Sequence, residues 1–502
     1  MVTTPELIRS SRQGARSGLA TQAAVQLLSM GGTVVLARLL MPADFGVIAL
    51  ATSLAGLLSL FASIGVGANL VRRKSGLDEA ATAYYWFLVV ASLGLTALLL
   101  VAAPSVVALA GQPDSDRAAQ VLALCLPPAL LVTVVQSVLR WRLDWSGYNL
   151  TVWLPALVLV AVEVPLALVG WGYWAVVAGM LASAWSGLVL AHVVARWRPR
   201  GAFRFGPIRS DLGMTGSLWS QQFLTFVQRN ADYWAVSAFL GAASLGLYYV
   251  AFVLPSVVRQ RVTAVSHATL LPLLSRCADD PPTFRRIWAG AVTIQLFVGA
   301  PALLGLAAVG EPLMEVFFGP GWTGAVAVVP WICLAALVEL YMTATAMAAV
   351  AMGMALRSLL VGLVRTAVVV VAVFVAAATW GQLEAIARSV AVGMLAGAVA
   401  QDLLVARPLG LGWRVLRLDL ARIAACTLLM YAAVRVVVAA TETWPPALVL
   451  LVAVGAGIVA YMASAFLIAR ATLCWVWRQA RLTARRQGGA RISRSSTPGR
   501  GR

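Results

Sequence analysis

The sequence predicts an all-α polytopic membrane protein with about fourteen transmembrane helices. Three observations predict it. Of 502 residues, 61% are hydrophobic and 11% are charged, which is not the composition of a soluble globular chain. Apolar runs long enough to cross a bilayer, which takes roughly 20 residues, follow one another along almost the whole chain. The basic residues gather in alternate breaks between those runs, as the positive-inside rule requires of a multi-pass protein.

The runs cover about 15–40, 44–70, 81–103, 118–140, 149–170, 172–195, 213–240, 244–272, 284–308, 322–349, 357–379, 383–406, 417–440 and 444–470. The first follows Arg9, Arg12 and Arg16, is too long for a signal-peptide core and has no clear cleavage site, so it reads as a membrane helix. Prolines interrupt several later runs: Pro127-Pro128, Pro155, Pro165, Pro255, Pro301 and Pro330. Each removes a backbone donor and can kink its helix. Five scattered cysteines have no CxxC and read as small packing residues. No GxxxxGK[ST] loop is present, so ATP hydrolysis by that route is excluded. The residues point to no metal and no cofactor.

Thirty of the 38 basic residues lie in segments that an inside N-terminus would place in the cytoplasm, and one, Arg117, lies in an external loop. The external loops carry Asp114, Asp116, Glu311, Glu315 and Glu442. This pattern predicts both termini in the cytoplasm. It also accounts for most of the net charge of +19 without nucleic acid.

Runs 213–240 and 244–272 are joined by the tight Gly241-Ala242-Ala243 and read as a helical hairpin. One carries Arg229, Asn230 and Asp232, and the other Arg259, Gln260 and Arg261. Arg229 and Arg259 each fall near the middle of their runs, so both sit near the bilayer midplane. An arginine at that depth costs roughly 2.5–3.5 kcal/mol on insertion scales. A polar, cationic cavity inside a bundle is the expected setting.

A faint repeat at an offset of 200 positions pairs Leu40 with Leu240, Ala43 with Ala243, Gly46 with Gly246 and Ala51 with Ala251. Both stretches fall where an outward helix turns into an inward one. The repeat predicts two parallel six-helix bundles around a central cavity, 1–195 and 213–406, joined by a basic cytoplasmic linker at 196–212. Two further helices at 407–470 and a basic, partly disordered cytoplasmic tail at 471–502 complete the chain. In the tail, Trp475 and Trp477 beside Arg478, Arg481, Arg485 and Arg486 suggest a short interfacial helix.

ARLLMPADFGVIALA (Ala37–Ala51) with GLLSLFASIGVGANLVRRK (Gly56–Lys74), and NADYWAVSAFLGAASLGLYYVA (Asn230–Ala251) with ATLLPLLSR (Ala268–Arg276), resemble the oligosaccharide flippase and lipopolysaccharide exporter family, its WzxC-like branch, within the multidrug/oligosaccharidyl-lipid/polysaccharide exporter superfamily. Ser63 stands where that family commonly has an acid, and Arg72-Arg73 where it commonly has Gln-Arg. The resemblance implies a non-enzymatic flippase in the bacterial cytoplasmic membrane. Such a protein carries a polyprenyl-pyrophosphate-linked oligosaccharide to the outer leaflet by alternating access, beside a polysaccharide polymerase and glycosyltransferases. The superfamily's lipid II flippase holds pyrophosphate with cavity arginines on its first and eighth helices. The matching helices here carry Arg16 and Arg38, and Arg259 and Arg261.

The residue chemistry agrees with an anionic substrate, because guanidinium groups grip phosphate bidentately. Arg229, Arg259, Arg261, Arg38 and Arg16 are the pyrophosphate candidates. Gln222, Asn230, Tyr233 and Gln260 are candidates for the sugar. Glu163, Asp232 and Glu339 are candidates for ion coupling, with charge compensation of the arginines as the structural alternative. Arg229 with Asp232 at i,i+3 is one such alternative pair. Arg365 reads as snorkelling to the cytoplasmic side. Two other functions share these features. A cation-coupled exporter of drugs or metabolites would want a surplus of buried acids, where this chain has more in-span arginines. A membrane glycosyltransferase or polymerase would want sizeable external loops, and the longest here cover only 104–117 and 309–321.

Overall fold

A computed structural model describes residues 4–62, 66–73, 75–112, 115–201, 204–209 and 212–470, and every regular element among them is helical. The tail, with its predicted interfacial segment, lies outside the described residues. The chain packs as two compact units. The first is Met1–Ala251 with Phe317–Val328 and Thr366–Val390, and the second is Phe252–Val316, Val329–Arg365 and Ala391–Arg502. Four of the five boundaries fall within helices, and the fifth falls at the start of the helix that begins at Val329.

The first unit contains α1 (Thr4–Leu39), α2 (Pro42–Ala62), α3 (Val66–Arg72), α4 (Leu77–Leu109), α5 (Asp116–Ala123), α6 (Leu126–Trp141), α7 (Trp145–Leu168), α8 (Tyr173–Ala195), α9 (Gly206–Arg209) and the first part of α10 (Leu212–Arg276). Helices α4, α6 and α8 interlock through Ala80, Tyr84 and Leu88, through Val134, Val138 and Leu139, and through Leu188, Ala191 and Ala195. Small residues recur on these faces because in lipid helices gain by close van der Waals approach and not by escaping water. Helix α7 packs against α8 and α1, and the Asp144 carboxylate caps it by accepting from the Gly147 N–H at 2.9 Å.

Helix α10 is a hairpin. Gly241 has φ 80° and ψ −177°, which interrupts the helix. The Tyr248 hydroxyl donates to Asp232 at 2.9 Å across sixteen residues. An unbroken helix would hold those residues about 24 Å apart. The same break settles the number of crossings. Among the described residues thirteen helices are long and apolar enough to span a membrane, and one of them, Gln222–Ala264, has 43 residues. At full length it would measure about 65 Å, twice the hydrocarbon thickness. Divided at Gly241, it supplies two of fourteen crossings.

The hairpin crosses α2 in a reciprocal way. A methyl group built on Gly46 would run into the Ala242 carbonyl, and one built on Gly246 would run into the Pro42 carbonyl. Positions 42 and 46 therefore meet 242 and 246 with the roles exchanged. This is the contact pattern of a local two-fold relation, at the positions the sequence repeat pairs. The stretch after α12 (Gly310–Phe317), expected to be loop as far as 321 and membrane helix from 322, forms a 3-10 turn at Pro320–Ala325, and the helix starts only at Val329. It buries Trp322, whose indole N–H donates to the Ala37 carbonyl at 2.8 Å and whose ring meets Phe45 edge-on at 5.1 Å.

The second unit contains the rest of α10, α11 (Pro281–Ala308), α13 (Val329–Ala351), the start of α14 (Ala355–Trp380), most of α15 (Leu383–Gln401), α16 (Trp413–Ala440) and α17 (Pro446–Ile468). Helix α11 packs on α13 and α16. The Tyr461 hydroxyl of α17 donates to the Phe297 carbonyl at 2.7 Å, so the last two helices are part of this unit's core. After α15 the chain turns through a short π segment at Asp402–Ala406. Buried Asp402 accepts from the Tyr341 hydroxyl at 2.7 Å and the Trp413 N–H at 2.9 Å, and pairs with Arg407 at 3.2 Å.

Candidate functional site

The second unit holds a charged cluster at mid-helix depth. Arg259 lies midway between the Gly241 break and the end of α10 at Arg276, Glu339 lies near the middle of α13, and Arg365 lies near the middle of α14. A helix of 23 residues such as α13 is about 35 Å long, close to the hydrocarbon thickness, so its middle falls near the bilayer midplane. The Arg259 guanidinium donates to the Glu339 carboxylate at 2.8 Å, with side-chain exposures of 14% and 32%. Arg365 lies in the field of the same carboxylate. Its aliphatic stem rests on Gly397 of α15, where a larger residue would collide with it. Its Nη1 reaches the Met342 sulfur on α13 at 3.5 Å. Arg365 is therefore turned into the unit's interior and does not snorkel outward. The expectation failed because room beside Gly397 is a property of packing between helices. Arg259 pairs with the carboxylate, and Arg365 touches Met342, one turn from Glu339 on α13, so two arginines stand near one acid. Gln260 and Arg261, beside Arg259 in sequence, are exposed.

The first unit places its polar residues differently. Asp232 is 5% exposed and is held by tyrosine, not arginine. It accepts from the Tyr248 hydroxyl and from the Tyr233 N–H at 3.0 Å. The Tyr233 ring stands edge-on to Tyr248 at 5.9 Å and Tyr249 at 6.1 Å. Beside it, the Trp234 indole N–H donates to the Ser53 hydroxyl of α2 at 2.8 Å. Arg229 is exposed and has no hydrogen bond or ion pair to a described residue, so the i,i+3 pair with Asp232 does not form. The Asn230 amide bonds back to the Phe226 carbonyl at 2.9 Å, and Gln222 is exposed. Glu163 on α7 is 4% exposed. It faces Gly32 of α1, with a carboxylate oxygen 2.9 Å from where a methyl group on that glycine would stand. It has no ion pair or hydrogen bond to a described residue. Arg38, in the last turn of α1, reaches the Phe317 carbonyl at 3.4 Å. Arg16 lies on α1, and its side chain is outside the described residues.

The sequence reading missed two partnerships. Arg365 joins Arg259 and Glu339, and Tyr248 is the partner of Asp232. A signal existed for the second, because a hairpin turning at Gly241 brings 232 and 248 to similar depth. None existed for the first, since Arg259 lies eighty residues from Glu339 and residue types do not say which faces of α10, α13 and α14 meet.

A family described as polysaccharide biosynthesis protein matches residues 35–327. The succinoglycan biosynthesis transport protein ExoT of Rhizobium meliloti (strain 1021) is 26% identical over 295 residues, 58% of this chain and 59% of that protein. The lipopolysaccharide biosynthesis protein WzxC of Escherichia coli (strain K12) is 21% identical over 316 residues, 61% of this chain and 62% of that protein. The chain thus covers less than two thirds of either relative. Among solved structures, the lipid II flippase MurJ in an inward closed conformation superposes with TM-score 0.68 at 14% identity, over 91% of this chain and 100% of that one. An inward-facing multidrug resistance MATE family transporter of the MOP superfamily gives 0.63 at 13% identity, over 77% and 94%. These likenesses show the fold. The match at 35–327 takes in the α2 crossing, the α10 hairpin and Arg259, and covers more than half of the sequence: this multi-pass membrane chain belongs to the polysaccharide biosynthesis protein family.

Proposed function

We propose that this protein is a flippase that carries a lipid-linked, anionic oligosaccharide from the cytoplasmic to the outer leaflet of the bacterial cytoplasmic membrane by alternating access. The observation that carries the reading is the Arg259–Glu339–Arg365 cluster at mid-membrane depth, with its surplus positive charge. A pyrophosphate is a dense anion that two planar guanidinium groups can clasp. Glu339 holds the arginines in the absence of substrate and yields them to a stronger anion. Membership of the family and the flippase-like fold support the same reading. In the second unit the exposed Gln260, next to Arg259, is a candidate contact for the sugar. Asp232 and Glu163, which carry no ion pair among the described residues, are the candidates for coupling to protons or sodium ions. Both termini lie in the cytoplasm.

The test is flipping of a fluorescent polyprenyl-pyrophosphate oligosaccharide in liposomes. Arg259→Ala should abolish most transport, and Arg259→Lys should restore part of it, because a point charge replaces a planar fork. Arg259→Ala takes the ion-pair partner from half-buried Glu339, so a purely structural cost must be separated. The double variant Arg259→Ala/Glu339→Ala removes that cost. It should recover protein yield and melting temperature but not transport. Full transport by the double variant would mean the pair is structural and the substrate anion is held elsewhere.

A further inference from the structure

Described residues at both ends of the segment expected to be a linker pack on the first unit. Arg196 takes a left-handed conformation, φ 46°, while its N–H closes on the His192 carbonyl at 3.0 Å. The chain then turns, and Trp197 enters the α4/α6/α8 core. Its indole N–H donates to Asp78 at 3.1 Å, and its ring stands edge-on to Tyr85 at 5.8 Å. Ile208 of α9 is buried in the same core. Beside these anchors lies a cleft of about 780 Å³, lined by five arginines and two acids.

Both acids are already engaged. Asp78 accepts from Trp197, and Glu79 pairs with Arg204 at 3.0 Å. Arg142 is engaged too, donating to the Ala195 carbonyl at 2.7 Å. Arg196, Arg198 and Arg200 remain, exposed and with no side-chain hydrogen bond or ion pair to a described residue. On the cleft wall, Thr82 is 3% exposed, and its hydroxyl has no partner among the described residues. The His192 Nδ1 bonds to the Leu188 carbonyl at 3.0 Å, which leaves Nε2 available. Cationic forks, a hydroxyl and an imidazole suit a phosphate group. Along α8, Trp185, Val189 and Val193 form an exposed apolar strip at helical spacing that runs to the cleft, and Val193 lines it. Such a strip suits acyl chains.

We infer that this cleft binds the phosphate headgroup of an anionic phospholipid of the bilayer, with its tails along the α8 strip. Basic pockets at helix ends bind anionic lipid heads by this chemistry. The experiment is native mass spectrometry of the purified full chain titrated with phosphatidylglycerol, and with phosphatidylcholine as the neutral control. Retention of phosphatidylglycerol over phosphatidylcholine is expected. The triple variant Arg196→Ala/Arg198→Ala/Arg200→Ala should weaken it at least about tenfold, and Thr82→Val should weaken it by less. Arg414→Ala/Arg417→Ala, which removes exposed charge from the second unit, should leave it unchanged. Equal retention of both lipids, or a triple variant that binds as the wild type does, would overturn the inference. So would displacement by millimolar inorganic phosphate, which would make this a site for a soluble anion. Tighter retention of polyprenyl pyrophosphate, lost in the same variant, would make it an entry point for transported lipid and overturn the bulk-lipid assignment. Retention is read without transport, so the outcome is independent of the flippase proposal.

Discussion

Two acids show how local chemistry sets a residue's contribution. Asp232 is buried in a membrane helix, and the Tyr248 hydroxyl is one of its two donors. Tyr248→Phe should destabilise the protein by about 1–3 kcal/mol, because a buried acceptor loses its donor while the packing volume stays. Thermal unfolding in detergent checks it, and an unchanged midpoint would refute the bond. Asp280 caps α11 outside the membrane, accepting from the Thr283 N–H at 3.2 Å. Hydrogen bonds from Thr283, with help from the Arg286 charge, hold its carboxyl below the usual carboxylate range. A lowered folded pKa means the cap's contribution is complete above the unfolded value of about 3.9 and fades as pH falls through the folded value. Asp280→Asn, which still caps but does not titrate, should leave stability at pH 7 nearly unchanged and reduce the loss as pH falls below about 4. An identical acid profile in the variant would exclude Asp280 as a contributor. Asp280 was legible as a cap because Asp before Pro-Pro is a helix-start signal. Tyr248 as the partner of Asp232 was legible only in part: the turn at Gly241 sets 232 and 248 at similar depth, but nothing in the residue types says which donor a buried acid meets.

At the scale of elements, the crossing of α2 with the α10 hairpin depends on having no side chain at two glycines. Gly46→Ala places a methyl group against the Ala242 carbonyl, which is backbone and cannot swing aside. The helices must separate, at a cost of about 1–3 kcal/mol. Gly246→Ala should cost a similar amount, because the Pro42 carbonyl stands in the equivalent place. Melting temperatures of the two variants check both claims. A wild-type midpoint in either would show that the crossing has slack. The repeat pairing Gly46 with Gly246 was readable in the chain, yet its meaning was not. Identity at an offset of 200 says that two stretches are alike, and only the packing shows them touching each other.

For the whole molecule, the distribution of arginines predicts one orientation across the membrane. In a background without the native cysteines, Gly201→Cys should be shielded from an impermeant thiol reagent in intact cells and react in inverted vesicles. Labelling in intact cells would reverse the topology. It would also place the α4/α6/α8 cleft on the outer leaflet.

The sequence by itself determined the helical class, the crossings and the turn at Gly241. In hydrocarbon each backbone group must be satisfied within its own segment, so an apolar run of sufficient length commits to a helix with no help from its neighbours. It also determined that arginines lie at mid-membrane depth, since depth follows from position along a run. Only the tertiary structure decided which charges meet. Arg259 found Glu339 eighty residues away, Arg365 was folded inward over Gly397, and Arg229 was left without the nearby Asp232. Side-chain partners across helices depend on rotation and spacing of the whole bundle, and small residues such as Gly46, Gly246 and Gly397 set that spacing only once their opposite surfaces are in place.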